Sequence, residues 1–164
     1  ISAVQKIMRP ATVAAYYSLL PREDGILLMG TELVLPGRSI AKLLSRSVKC
    51  CVMAATIGLE IDREIRRLSV AGMTDSVIFD ACATAAIEAV CDELQKKAAE
   101  ELGEAGYRIT HRFSPGYGDL PLELQKGLLT LLQAEKRIGI TLTASGLMVP
   151  CKSVTAIFGL EKKE

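Results

Sequence analysis

Ten residues, Arg112-Phe113-Ser114-Pro115-Gly116-Tyr117-Gly118-Asp119-Leu120-Pro121, hold the chain's most concentrated chemical potential. One permanent cation precedes two prolines, two glycines and two aromatics. A guanidinium grips a carboxylate through two parallel hydrogen bonds. Prolines preset φ, and glycines remove side chains where the backbone must bend or a ligand must come close. The segment can therefore run its backbone along a flat ligand while Arg112 holds an anionic group. Its composition equally suits a plain strand-to-helix loop.

Glu88 is the second candidate. It lies in an Ala-rich stretch, Val77 to Cys91, where Asp80 is the only other charge. A carboxylate there can receive the ammonium of an amino-acid moiety. Asp80, Thr84, Glu88 and Asp92 also step by four, so they form one polar stripe, the pattern of a solvated helix face. Lys152 and Ser153 either border the same cleft or form a surface turn. Asp119 is expected to cap the helix that begins near Pro121. His111 and Arg112 point to opposite faces if they lie on a strand.

These groups need a scaffold, and the composition allows one. The 164 residues suffice for one domain with a substantial core, with 49% hydrophobic and 24% charged residues. Only 4% are aromatic and there is no Trp, so Ala, Leu, Ile and Val must build the interior. Twenty basic against nineteen acidic residues give a net charge of +1, which argues against nucleic acid or an anionic membrane as partner. No apolar run is long enough to span a bilayer. The cysteines at 50, 51, 82, 91 and 151 and the single His111 lack metal-site spacing. The cysteines read as buried free thiols of a cytoplasmic protein. Cys50 and Cys51 should face opposite sides of a strand.

Along the chain, Arg9 to Leu20 reads as a first helix. Ile26 to Met29 and Glu32 to Leu35 read as strand fragments or a hairpin, and Ser39 opens a short helix to Ser45 as its cap. The apolar run Val48 to Ile57 predicts a buried strand, followed by an amphipathic helix over Leu59 to Ser69. The longest helix is expected at about 73–102, and another from Leu122 to Lys136. Tyr107 to Phe113, Gly139 to Thr143 and Ser153 to Leu160 read as strands. This irregular alternation predicts an α+β fold with a mainly antiparallel sheet.

The Arg112 segment resembles the Arg-x-x-Pro-Gly-Tyr stretch of the activation (reactivation) domain of cobalamin-dependent methionine synthase. The likeness continues through Ile138–Pro150, with its Thr-x-Ser turn and Met-x-Pro, and through the strand Cys151–Gly159. It implies a single activation-like domain over 1–164, in a stand-alone version, with a twisted antiparallel sheet flanked by helices. By position it implies S-adenosylmethionine binding by Arg112, Ser114, Gly116 and Glu88, with Tyr117 facing a cobalamin carried by another protein. The implied role is a reactivation subunit for reductive methylation of cob(II)alamin. That subunit would be a component of methyltransferase activity, insufficient alone, on methionine synthase modules or a related corrinoid protein, with a flavodoxin-like electron donor. A non-catalytic docking or S-adenosylmethionine-sensing module is the alternative, and a scaffold without small ligand the third. The family's further C-terminal segment with a ligand-site tyrosine, and an acidic contact near its N-terminus, have no counterpart in these residues.

Overall fold

The computed structural model describes residues 2–164. The elements in chain order are α1 (Ser2–Ile7), β1 (Ala11–Arg22), β2 (Gly25–Leu28), β3 (Val34–Leu35), α2 (Arg38–Leu43), β4 (Ser47–Thr56), α3 (Leu59–Ala71) and α4 (Met73–Glu104). They continue with β5 (Tyr107–Ile109), α5 (Leu124–Leu131), α6 (Ala134–Ile138), β6 (Thr141–Leu142), β7 (Met148–Val149) and β8 (Ser153–Lys162). Six strands form one antiparallel sheet in the order β3-β2-β1-β4-β8-β5, and β6 and β7 pair separately. This is the α+β architecture with a long helix that the sequence predicts.

The centre of the sheet, β4 and β8, is buried on both faces, which explains the apolar stretch Cys50–Ala55 in β4. Cys50, Val52 and Ala54 enter one core with Ile40, Leu44, Leu128 and Leu132. Their neighbours Cys51, Met53 and Ala55 enter the other, with Ile61, Phe79, Ala83, Ile87 and Cys91. The two adjacent cysteines thus face opposite layers, as strand geometry requires. Burial pushes both thiols up to about 12, so neither offers a thiolate.

Three expectations need correction. Residues 11–20 form a strand, not a helix: Ala11–Ser18 pair residue by residue with Thr56–Lys49. Thr12, Val13, Tyr16 and Tyr17 favour the pleat, and the partner strand overrides the helical tendency of the alanines. The helix expected over Leu122–Lys136 is broken into α5 and α6 at Gln133, which takes a left-handed φ of 52°. The break lets Leu128, Leu132, Ala134 and Ile140 all reach the same core. Finally, α2 is capped neither by Ser39 nor by any residue of its own. Asp119 comes from across the fold and accepts the N–H groups of Arg38 at 2.6 Å and Ser39 at 3.0 Å. Those bonds hold its carboxyl down at about 2, Ser39 contributing most. Asp119 therefore does not cap the helix after Pro121.

Candidate functional site

The Arg112 segment owes its aim to a fault in the sheet. β5 pairs regularly with β8 as far as Ile109 opposite Leu160, and the chain next bridges at Phe113 opposite Ile157. Four steps on one strand therefore oppose three on the other, which is a β-bulge. Bulges re-aim side chains beside functional sites. Ile109 packs into the α4-side core and Phe113 against the opposite one. Without the extra residue Arg112 would face away from Ile109. With it, Arg112 turns toward α4. Thr110 secures the excursion: its N–H reaches Gly159 O at 3.0 Å, and its hydroxyl accepts the Gly159 N–H at 2.8 Å. Phe113 and Ile157 exchange both backbone hydrogen bonds at 2.8 Å.

The opposing surface is set by the period of α4. Phe79, Ala83, Ile87 and Cys91 are buried in the core. Asp80, Thr84, Glu88 and Asp92 each follow one of them by a single position, about 100° further round the helix. The polar stripe thus runs along the boundary between buried face and solvent, where the loops leaving the sheet can reach it. The stripe is not simply solvated. Lys152 Nζ bonds Asp80 Oδ1 and Thr84 Oγ1, each at 2.9 Å. Arg112 Nη2 bonds Glu88 Oε2 at 2.9 Å, and Nη1 bonds Asp92 Oδ1 at 2.7 Å. Gln95, one turn on, accepts from Arg112 Nη1 at 3.0 Å and donates to Thr110 O at 2.8 Å.

The electrostatics are asymmetric. The Arg112 side chain is 18% exposed, whereas Glu88 and Asp92 are 53% and 70% exposed. Burial works against the guanidinium charge, but the hydrogen bonds it donates to Asp92 and then Glu88 outweigh it, so the Arg112 pKa is raised. A shielded cation with two solvated carboxylates can exchange partners without stranding a buried charge. Behind it, burial holds the Cys91 thiol up at about 11 although Arg112 pulls the other way.

Two of the sequence candidates, Arg112 and Glu88, are thus in direct contact. Ser114 and Gly116 stand in the turn that follows. There the Ser114 carbonyl accepts the Tyr117 N–H at 3.2 Å and the Gly116 N–H donates to Leu120 O at 2.9 Å. Among the described backbone hydrogen bonds, the Ser114 N–H and the Gly116 carbonyl are left to offer. Gly116 has a φ of +91°, and a Cβ there would meet Leu122 Cδ1 at 3.3 Å. Tyr117 is 69% exposed and projects outward. Lys152 joins the same helix face, and the row of polar partners on α4 extends to Asp92 and Gln95, whose contacts with Arg112 sequence reasoning missed. The spacing 88, 92, 95 is the signal that could have found them. His111 is exposed and has no side-chain hydrogen bond to the cluster among the described contacts.

A groove of about 700 Å³ lies elsewhere, between α1, β1 and another flank of α4, lined by Val4, Met8, Tyr16, Cys82, Ala86 and Leu94 among others. Its walls are largely apolar and it does not include Arg112. Convergent charge, rather than volume, singles out the Arg112 cluster. Among the described residues no His, Cys, Asp or Glu group could hold a metal ion, and no helix is long and apolar enough to cross a membrane.

Comparison with solved structures finds the crystal structure of the MetH reactivation domain bound to AdoHcy. The likeness has a TM-score of 0.74 at 21% identity and covers 98% of this chain but 61% of that one. At this identity the match speaks for the fold. No curated protein sequence matches. Residues 49–163, which include most of β4 and all of α4, the bulge and β8, match the vitamin B12 dependent methionine synthase activation domain. With most of its length matched, the chain belongs to the family of vitamin B12-dependent methionine synthase activation domains.

Proposed function

We propose that this domain, taken as one unit over 1–164, binds S-adenosylmethionine and serves the reductive methylation of cob(II)alamin held by a methionine synthase module or a related corrinoid protein. The observation that carries the reading is the contact of Arg112 with Glu88. A guanidinium and a carboxylate 2.9 Å apart match the carboxylate and ammonium of an α-amino acid. The MetH reactivation domain, which shares the fold, was crystallised with AdoHcy.

The residues fit such a ligand. Arg112 would hold the carboxylate and Glu88 the ammonium, while the Ser114 N–H and Gly116 carbonyl supply backbone contacts alongside. Gly116 keeps that approach open because it has no side chain. Bound there, S-adenosylmethionine supplies the methyl group, and a flavodoxin-like protein supplies the electron. The work of this chain is positional: it orients the amino-acid end, and the exposed Tyr117 meets the corrin face of the partner and displaces solvent from it. The domain is then a component of methyltransferase activity, not a complete enzyme.

The test is methylation of a cob(II)alamin-loaded corrinoid protein, followed by its visible spectrum, with reductant and S-adenosylmethionine present. Adding this domain should speed methylcobalamin formation, and the Arg112→Ala variant should not. An unchanged rate with the wild-type domain refutes the transfer role. A docking or sensing module is the second reading. It is favoured by the internal pairing of Arg112, since a site closed on itself can report the arrival of ligand. Binding without any methylation would select it.

A further inference from the structure

In the free domain the end-on edge of the Arg112 guanidinium is already taken. Nη1 donates to both Asp92 Oδ1 at 2.7 Å and Gln95 Oε1 at 3.0 Å, while Nη2 donates to Glu88 Oε2 at 2.9 Å. Both hydrogens of Nη1 are therefore in use. A carboxylate binding end-on needs one hydrogen from each terminal nitrogen, and Asp92 and Glu88 together span that edge. One cation already faces two carboxylates, so a third cannot join at close range without like-charge repulsion.

Asp92 is the partner better suited to leave. It is 70% exposed against 53% for Glu88, so its release returns a mostly hydrated group to water. Gln95 can stay behind on Arg112, because its amide nitrogen is tied to Thr110 O at 2.8 Å. Glu88 would then be free to receive the ligand ammonium while keeping its place beside the guanidinium.

We infer that Asp92 is a built-in competitor: it occupies the Arg112 fork in the free domain, and the carboxylate of the amino-acid ligand displaces it. Asp92 thereby sets the affinity of the site without contacting the bound ligand. The inference rests on the reading above that Arg112 holds the ligand carboxylate, and goes beyond it by assigning a cost to entry. It also makes a prediction contrary to intuition, because breaking an ion pair at the site should improve binding.

The experiment is calorimetric titration of the folded domain with S-adenosylhomocysteine, whose zwitterionic end is neutral overall. Loss of one nearby charge therefore leaves its long-range attraction almost unchanged. Asp92→Asn and Asp92→Ser should each tighten binding about 2- to 5-fold, the range that release of an exposed ion pair supports. The decarboxylated analogue, which has nothing to offer the fork, should not gain. Unchanged or weaker binding in the variants overturns the inference, since a residue that merely orients Arg112 predicts that result. An equal gain for the decarboxylated analogue overturns it too. The two readings fail distinguishably. If wild type binds, Arg112→Ala weakens binding and Asp92→Asn does not improve it, the competitor role alone falls. If wild type and all variants fail to bind, the ligand assignment falls with it.

Discussion

Removing the guanidinium separates what Arg112 does for the fold from what it does for a ligand. In Arg112→Ala the protein loses two ion pairs whose carboxylates are 53% and 70% exposed. Such pairs are worth about 0.2–1 kcal/mol each. It also loses the Gln95 hydrogen bond, worth about 0.5–1.5 kcal/mol. Glu88 and Asp92 fall back into water, so no buried charge is stranded. The expected loss of stability is roughly 1–3 kcal/mol, or about 2–10 °C in Tm for a domain of this size. The ligand loses more. Hydrogen bonds to charged groups are worth about 1.5–3 kcal/mol, which corresponds to roughly a 10- to 150-fold rise in Kd for S-adenosylmethionine. Arg112→Lys keeps the charge but not the fork and should fall between wild type and Ala. Circular-dichroism melts and calorimetric titrations at one pH and salt give both quantities. A folded Ala variant that binds as well as wild type would refute the ligand role. A variant that cannot fold would refute the claim that the pair is a mild contributor to stability.

Other outcomes test the frame around the site. Gly37 has a φ of 108°, and a Cβ there would lie 2.8 Å from Asp119 Oδ1 and 2.9 Å from Asp119 O; Gly37→Ala should cost about 1–3 kcal/mol by chemical denaturation. The depressed carboxyl of Asp119, at about 2, stabilises the fold above its unfolded value of about 3.9, and this contribution fades as pH falls through about 2. The stability gap between wild type and Asp119→Ala should therefore narrow between about pH 5 and pH 2, and a constant gap would contradict the capping role. Cys151 is exposed, yet its thiol is held up at about 11 by desolvation and then by Asp62, whose Oδ1 lies 3.1 Å from Sγ. Asp62→Asn should accelerate its alkylation at pH 8, measured by mass spectrometry against the unchanged buried thiols.

The sequence was most legible where one local signal sufficed. The apolar run of β4, the spacing of Ile61, Ile65 and Leu68 in α3 and the long period of α4 each announce an element without help from elsewhere. What escaped depends on partners far along the chain. The alanines of β1 suit a helix until β4 pairs with them. The cap of α2 comes from Asp119, eighty residues away. The bulge that aims Arg112 exists only as a mismatch against β8, so no reading of Tyr107–Phe113 alone could find it. The resemblance picked out Arg112 and Glu88 separately, but their contact spans 24 positions and follows from the bulge and the helix together.

That dependence explains why the site tolerates an exposed, charged construction. Both halves are fixed from behind by groups that do no chemistry. Phe79, Ala83, Ile87 and Cys91 clamp α4 against β4 and β8, and the paired bonds of Phe113 and Thr110 lock the bulge to β8. Neither half depends on the ion pairs for its position, so those pairs are free to break and re-form. A cluster that held the fold together could not surrender a partner to a ligand, because the stability lost would oppose binding. Here the scaffold is apolar and the charges sit at its border, so a change of partner would strand no buried carboxylate. The same division accounts for the missed residues: Asp92 and Gln95 each occupy one hydrogen of Arg112 Nη1, a property of geometry that no residue type announces.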